Sequence, residues 1–239
     1  MTEKLKNISV VLPAYNEEEN IADAIINTRN TLGTLADNYE IIVVNDGSTD
    51  RTGEIAEHFA QQEPSHTRIF HHSSNKGYGA ALRTGFLNTR YEYVFYTDAD
   101  NQFDISELRN FLPLIEKYDI IIGYRIKRKD SLLRIFLSKG YNYLVFLLFH
   151  LKVRDVDCSF KLFHKYVLDA IKIECDDFFV DTEILVRAKK AGFHILEKGV
   201  THYPRKRGKT TVRPGHILKT LITITKLWKQ IHRKNKYNE

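Results

Sequence analysis

The sequence predicts an α/β domain, a mostly parallel, doubly wound sheet with helices on both faces. Strand-like and helix-like runs alternate from Ile8 to Gly123, a turn-forming polar cluster follows almost every strand-like run, and no internal repeat interrupts the cadence. Ile8 to Leu12 is apolar and β-branched and is closed by Pro13. Glu17 to Leu32 reads as a helix opened by acidic residues, which suit the positive end of its dipole. Next come strand Glu40 to Val44, helix Thr49 to Gln62 with Ser48 or Thr49 as its cap, and strand Arg68 to His72. Helix Gly79 to Asn88, strand Tyr93 to Thr97, helix Ile105 to Glu116 and strand Asp119 to Gly123 complete the alternation. Leu132 to Leu151 approaches the ~20 residues of a membrane span, but Arg134, Ser138, Lys139, Gly140 and Asn142 interrupt it. An amphipathic or buried helical hairpin fits better than a transmembrane helix. Finally, Ile217, Leu221, Ile224, Trp228 and Ile231 recur at steps of four and three, with Lys219, Lys226, Lys229 and Arg233 opposite. That is the pattern of a cationic helix lying in a membrane interface. A catalytic domain over 1–212 and a basic helix and tail over 213–239 are the expected division.

The charge supports that division. Lys+Arg number 36 and Asp+Glu 30, giving +6. From Arg205 onward there are 11 basic residues and one acidic, or +10, so residues 1–204 carry 25 − 29 = −4. A near-neutral body with a cationic tail argues against a nucleic-acid-coating surface. A second basic patch lies at 125–139, six Lys/Arg against Asp130. Cys158 and Cys175 lack paired spacing and read as buried reduced thiols. Met1 to Lys6 is polar, so no signal peptide is read there.

In sheets of this kind ligands bind beyond the carboxyl ends of the strands, where Pro13 to Glu17, Asp46 to Asp50, Asn75 to Gly77 and Asp98 to Gln102 all fall. Asp98 and Asp100, one residue apart at a strand end, can both face the cleft, with the amide of Gln102 as a further ligand. Hard divalent cations favour such oxygens and share them with substrate phosphates. Asp46 is placed to meet a nucleobase or ribose. Neither Gly-x-Gly-x-x-Gly nor a phosphate-loop Gly-Lys-Ser/Thr is present, which disfavours dinucleotide oxidoreductases and kinases.

These blocks resemble the inverting family-2 glycosyltransferases of GT-A fold, and among them the polyprenyl-phosphate glycosyltransferases typified by dolichol-phosphate mannose synthase. The resemblance runs through Val11 to Glu18, Asn45 to Asp50, Asn75 to Ala81, Asp98 to Gln102 and Gly123 to Arg125. It continues through Asp155 to Lys161, Asp181 to Glu183 and Arg205 to Thr210. It implies donor binding by Pro13, Tyr15, Glu17, Asp46, Lys76 and Asp98, and metal binding (Mg²⁺ or Mn²⁺) by Asp98, Asp100 and Gln102. Arg125, Arg134, Ser138 and Arg205 would surround the acceptor phosphate. Asp100, Arg125, Asp155 and Asp157 are the expected catalytic set, with Asp181 and Glu183 as further candidates for acceptor positioning or a base. Asn45, Asn101 and Ser159 depart from the usual Asp, Leu and Gly.

The resemblance thus implies hexose transfer from a nucleotide sugar, of GDP-mannose or UDP-glucose type, to a polyprenyl or dolichyl phosphate. It would take place on the cytoplasmic side of a membrane, peripherally bound, with a small membrane subunit as a conceivable partner. A phosphate acceptor is already ionised and needs no general base. A glycan hydroxyl acceptor, which does need one, is the first alternative; a non-catalytic membrane- or nucleic-acid-binding protein is the second.

Overall fold

The computed structural model describes residues 5–126, 132–205, 207–208 and 223–231. Seven strands form one sheet in the order β3-β2-β1-β4-β6-β5-β7. They are β1 Leu5–Ala14, β2 Ala36–Asn45, β3 Thr67–His71, β4 Tyr93–Thr97, β5 Ile120–Ile126, β6 Phe160–His164 and β7 Ile195–Thr201. β3, β2, β1 and β4 run parallel, as do β5 and β7. β6 is antiparallel to both neighbours and joins the two parallel groups.

Alternation along the central strands builds two cores. Val10, Leu12, Ile41 and Val43 face one side, under α1 (Ile21–Leu35), α2 (Thr52–Gln62), a 3-10 turn (Ile105–Asn110) and α4 (Leu112–Ile115). Val11, Ile42, Val44 and Tyr96 face the other, under α3 (Tyr78–Leu87), α5 (Leu132–Phe149), α6 (Lys165–Ala170), α7 (Val180–Lys190) and the helical residues 223–231. α3 can lie this close to β1 because Gly85 has no side chain: a Cβ there would stand 2.3 Å from Val11 Cγ1.

Several elements differ from expectation for identifiable reasons. α1 starts at Ile21, because Glu17 to Asn20 form a turn whose backbone is steered by Asn16 at φ 55°. The start of α2 is capped by Asp50, whose carboxylate accepts Thr52 N at 3.0 Å, while the Ser48 hydroxyl accepts Asn16 N. Pro113 lies at the start of α4, and the segment expected as one helix over 105–116 divides at Phe111. Leu132–Phe149 is one 18-residue helix rather than a hairpin; Gly140 is accommodated without a break. No helix among the described residues is long and apolar enough to cross a membrane. Of the C-terminal amphipathic helix, 223–231 turns Ile224 and Leu227 into the core, leaving Trp228, Lys226 and Lys229 exposed. Its earlier part lies outside the described residues. Both cysteines are buried free thiols, and burial pushes both above their usual pKa.

Candidate active site

Loops from the carboxyl ends of β1 and β2 clasp each other through mutual hydrogen bonds. Thr49 N donates to Asn16 Oδ1 (2.8 Å), Glu17 N to Thr52 Oγ1 (2.7 Å), Glu18 N to Asp50 Oδ2 (3.2 Å) and Arg51 N to Glu18 Oε2 (3.1 Å). β1 runs on through Pro13, expected to close it, and ends at Ala14, paired with Asn45 of β2, because the edge of a parallel ladder does not need the Pro13 N–H; Tyr15 is half-buried beside the clasp. Asn45, the unusual residue here, closes the β2 turn by accepting Ser48 N at 3.0 Å.

Asp46 serves this architecture rather than standing open for a base or ribose. Its Oδ1 accepts Lys76 N (2.9 Å) and pairs with buried His72 (2.6 Å), and Oδ2 accepts Gly77 N (2.8 Å). The carboxylate thereby pins the loop that starts α3, while the Lys76 side chain stays exposed. Gly77 sits at φ +103°, and a Cβ there would lie 2.2 Å from the Asp176 carbonyl. Gly77→Ala is therefore expected to cost roughly 2 kcal/mol or more, read as a lowered Tm; an unchanged Tm would mean the loop can shift freely.

At the end of β4, Asp98 accepts hydroxyl bonds from Tyr78 (2.8 Å) and Ser159 (2.6 Å). Burial raises its carboxyl to about 7, and the neighbouring charge of Asp100 adds to the rise. Asp100 holds Gln102 N at 3.1 Å and lies 3.8 Å from Arg205 Nη1. Two mutually repelling carboxylates in a cleft suit a divalent cation. Gln102 Nε2 donates to Tyr203 O, which leaves the amide oxygen as a further donor atom. Among the described residues no group of three or more His, Cys, Asp or Glu is arranged to hold a metal alone. A cation at Asp98 and Asp100 would thus complete its shell with the amide and a ligand's phosphates, the usual habit of Mg²⁺.

The segment after β7 crosses this site. Phe103 and His202 pair as an antiparallel bridge, and Tyr203 N donates to Gln102 O at 2.8 Å. Arg205 pairs with Glu17, and Arg207 reaches Asp23 and the carbonyl of Glu19. Burial raises the Glu17 carboxyl despite the Arg205 charge beside it.

On the far side of Asp98, the expected acceptor groups divide into two kinds. Arg125 and Asp155 form a two-pronged pair, with Nε to Oδ2 at 2.7 Å and Nη2 to Oδ1 at 2.6 Å. Burial opposes the Arg125 charge, but Asp155 outweighs it and holds the guanidinium above its usual range. Asp181 is locked by Lys161, and Glu183 accepts the backbone N–H groups of Glu174 and Cys175 and pairs with Arg187. Neither is poised as a base. Ser138 is half-buried on α5; the side chain of Arg134 and residues 127–131 of the basic patch lie outside the described residues. Arg205 stands with Glu17 and near Asp100, whereas Arg125 is paired with Asp155.

Asp157 alone among these acids is exposed. Partial loss of water around it raises its carboxyl to about 7, and Asp181 and Asp155 add to the rise. A raised folded-state pKa favours the neutral acid, a contribution present below the unfolded value near 4 and lost as pH climbs through 7. Asp157→Asn is therefore expected to raise Tm at pH 8 more than at pH 5. Equal effects at both would remove the shift. The sequence also gave no weight to Tyr78 and His72, which fix Asp98 and Asp46; an aromatic before a glycine and a histidine at a strand end carry little signal alone.

Comparison with known proteins identifies the family. Residues 9–172 match the model for glycosyl transferase family 2. The chain is 35% identical over 212 residues to glycosyltransferase AglD of Haloferax volcanii, covering 83% of this chain and 33% of that one. It is 33% identical over 207 residues to dolichyl-phosphate beta-glucosyltransferase ALG5A of Trichomonas vaginalis, covering 80% and 64%. The chain thus spans between a third and two thirds of the length of these relatives. Its fold is similar to glucosyl-3-phosphoglycerate synthase of Mycobacterium tuberculosis, solved with Mn²⁺, UDP and phosphoglyceric acid, at TM-score 0.70 and 20% identity over 95% of this chain and 78% of that one. The fold is GT-A-like, and the chain belongs to glycosyl transferase family 2.

Proposed function

We propose that the chain transfers a hexose from a nucleotide sugar to the phosphate of a polyprenyl phosphate. The observation that carries this reading is the Asp98–Asp100 pair at the mouth of β4, facing a cleft walled by the β1 and β2 loops. Similarity to a dolichyl-phosphate glucosyltransferase favours a UDP-glucose donor over GDP-mannose.

In this reading an acceptor phosphate oxygen forms the bond to the anomeric carbon, the bond to the donor's diphosphate breaks, and the nucleoside diphosphate leaves with its electron pair. Attack opposite the leaving group inverts the centre. Asp98, Asp100 and Gln102 would hold a divalent cation, which would supply charge neutralisation for the departing diphosphate. Arg125 has five N–H donors and spends two on Asp155, so the pair aims the remaining fork at the acceptor. Tyr143, Leu147 and Trp228 are exposed at 62%, 51% and 40%, and with Lys226 and Lys229 they support peripheral docking on the leaflet that holds the lipid.

A hydroxyl acceptor is the second reading, favoured by one observation: Asp157, open and near 7, has the pKa of a general base. The test incubates the purified chain with Mg²⁺ or Mn²⁺, UDP-glucose or GDP-mannose, and a polyprenyl phosphate or a glycan. An organic-extractable sugar lipid from UDP-glucose is expected. Product only on the glycan would replace the first reading with the second.

A further inference from the structure

Lys161 is wholly buried, on the strand that breaks the parallel order of the sheet. Its ammonium has three N–H groups and three acceptors from three elements. They are Tyr96 Oη on β4 at 2.9 Å, Asp181 Oδ1 on α7 at 2.6 Å and the carbonyl of Cys158 at 2.6 Å. Tyr96 is the cross-strand partner of Lys161 and also donates to Asp181, so the triad is closed.

The third acceptor gives the cluster its meaning. Cys158 lies in a turn closed by its own N–H on the Asp155 carbonyl at 3.3 Å. On one side of it Asp157 is exposed; on the other, Ser159 donates to Asp98 at 2.6 Å. Asp155, at the start of the same turn, holds Arg125. One ammonium therefore anchors the segment that presents groups to both sides of the site. A buried ion pair adds little stability over apolar residues of equal volume. What it adds is direction, because three fixed bonds leave the Cys158 carbonyl one place to be.

We propose that Lys161, held by Asp181 and Tyr96, is a positioning residue for the 155–159 turn: it touches neither substrate, and it sets where Asp157, Ser159 and the Arg125 partner Asp155 stand. The activity consequence rests on the transferase reading; the structural claim does not.

The test replaces the triad by apolar residues, Lys161→Met with Asp181→Leu and Tyr96→Phe, in the otherwise unchanged chain. Amide exchange over 155–160 is expected to accelerate at least about tenfold while that of 8–12 in β1 stays native, a local opening rather than a global one. Sugar-lipid kcat is expected to fall about 10²-fold, the scale of an ångström-level misplacement, and more than the donor KM rises, because the β1 and β2 loops keep hydrogen bonds of their own and only Asp98 loses a fixed partner. If the triple variant does not fold, Asp181→Asn, which keeps the shape and weakens the grip, carries the same exchange measurement. Native exchange at 155–160 overturns the proposal, as does equal acceleration in β1. If the unsubstituted chain transfers no sugar, the functional reading fails and exchange still decides the role of Lys161.

Discussion

Asp100→Ala is expected to lower sugar-lipid formation by at least about 10³-fold, or about 4 kcal/mol of transition-state stabilisation. A hydrogen-bond role alone predicts far less. The Asp100 carboxylate accepts Gln102 N, a bond of about 1 kcal/mol, and its Arg205 contact at 3.8 Å is long for an ion pair. Losing the Gln102 and Arg205 contacts would by itself move Tm by about 2–4 °C per kcal/mol. The measurement is therefore paired: kcat with Tm. After chelation, native activity should return on adding Mn²⁺ or Mg²⁺, whereas the variant should stay inactive at every concentration of either. Full activity in Asp100→Ala would sink the metal assignment. A collapse in Tm equal to the lost activity would make the residue structural.

The half of the site that contains Asp100 was the more legible half in the sequence. Its residues lie in loops that each follow a strand, and the parallel order brings those strand ends to one edge without further information. The acceptor half depends on β6, which was missed. Phe160 to His164 is only five residues long, enters antiparallel between β4 and β5, and so leaves no strand–helix–strand cadence to read. Without β6 the acids around it could not be ranked. Asp155, Asp157, Asp181 and Glu183 look alike in sequence, and burial separates them. Asp181 meets Lys161, Glu183 meets two backbone N–H groups, Asp155 meets Arg125, and Asp157 stays exposed. The same pairing separates two of the cations expected together: Arg125 faces Asp155 and Arg205 faces Glu17.

Asp155→Ala should then produce the largest stability loss of any change in the cleft. The side chains of Arg125 and Asp155 are only 12% and 6% exposed, and Asp155 accepts from Arg125 three times, through its backbone N–H, Nε and Nη2. Removing the carboxylate leaves a guanidinium buried without its counter-charge, a penalty of about 3–5 kcal/mol. At about 2–4 °C per kcal/mol for a chain of this size, Tm should fall by roughly 6–20 °C. A second variant separates stability from binding. Arg125→Met with Asp155→Leu removes both charges, so most of the lost stability should return. Transfer should not, if the free Arg125 N–H groups meet the acceptor phosphate as proposed. Recovery of both Tm and activity would show that the pair is a strut and that the lipid phosphate is held elsewhere. A native Tm for Asp155→Ala would mean that water reaches Arg125 and that the pair is not buried in solution.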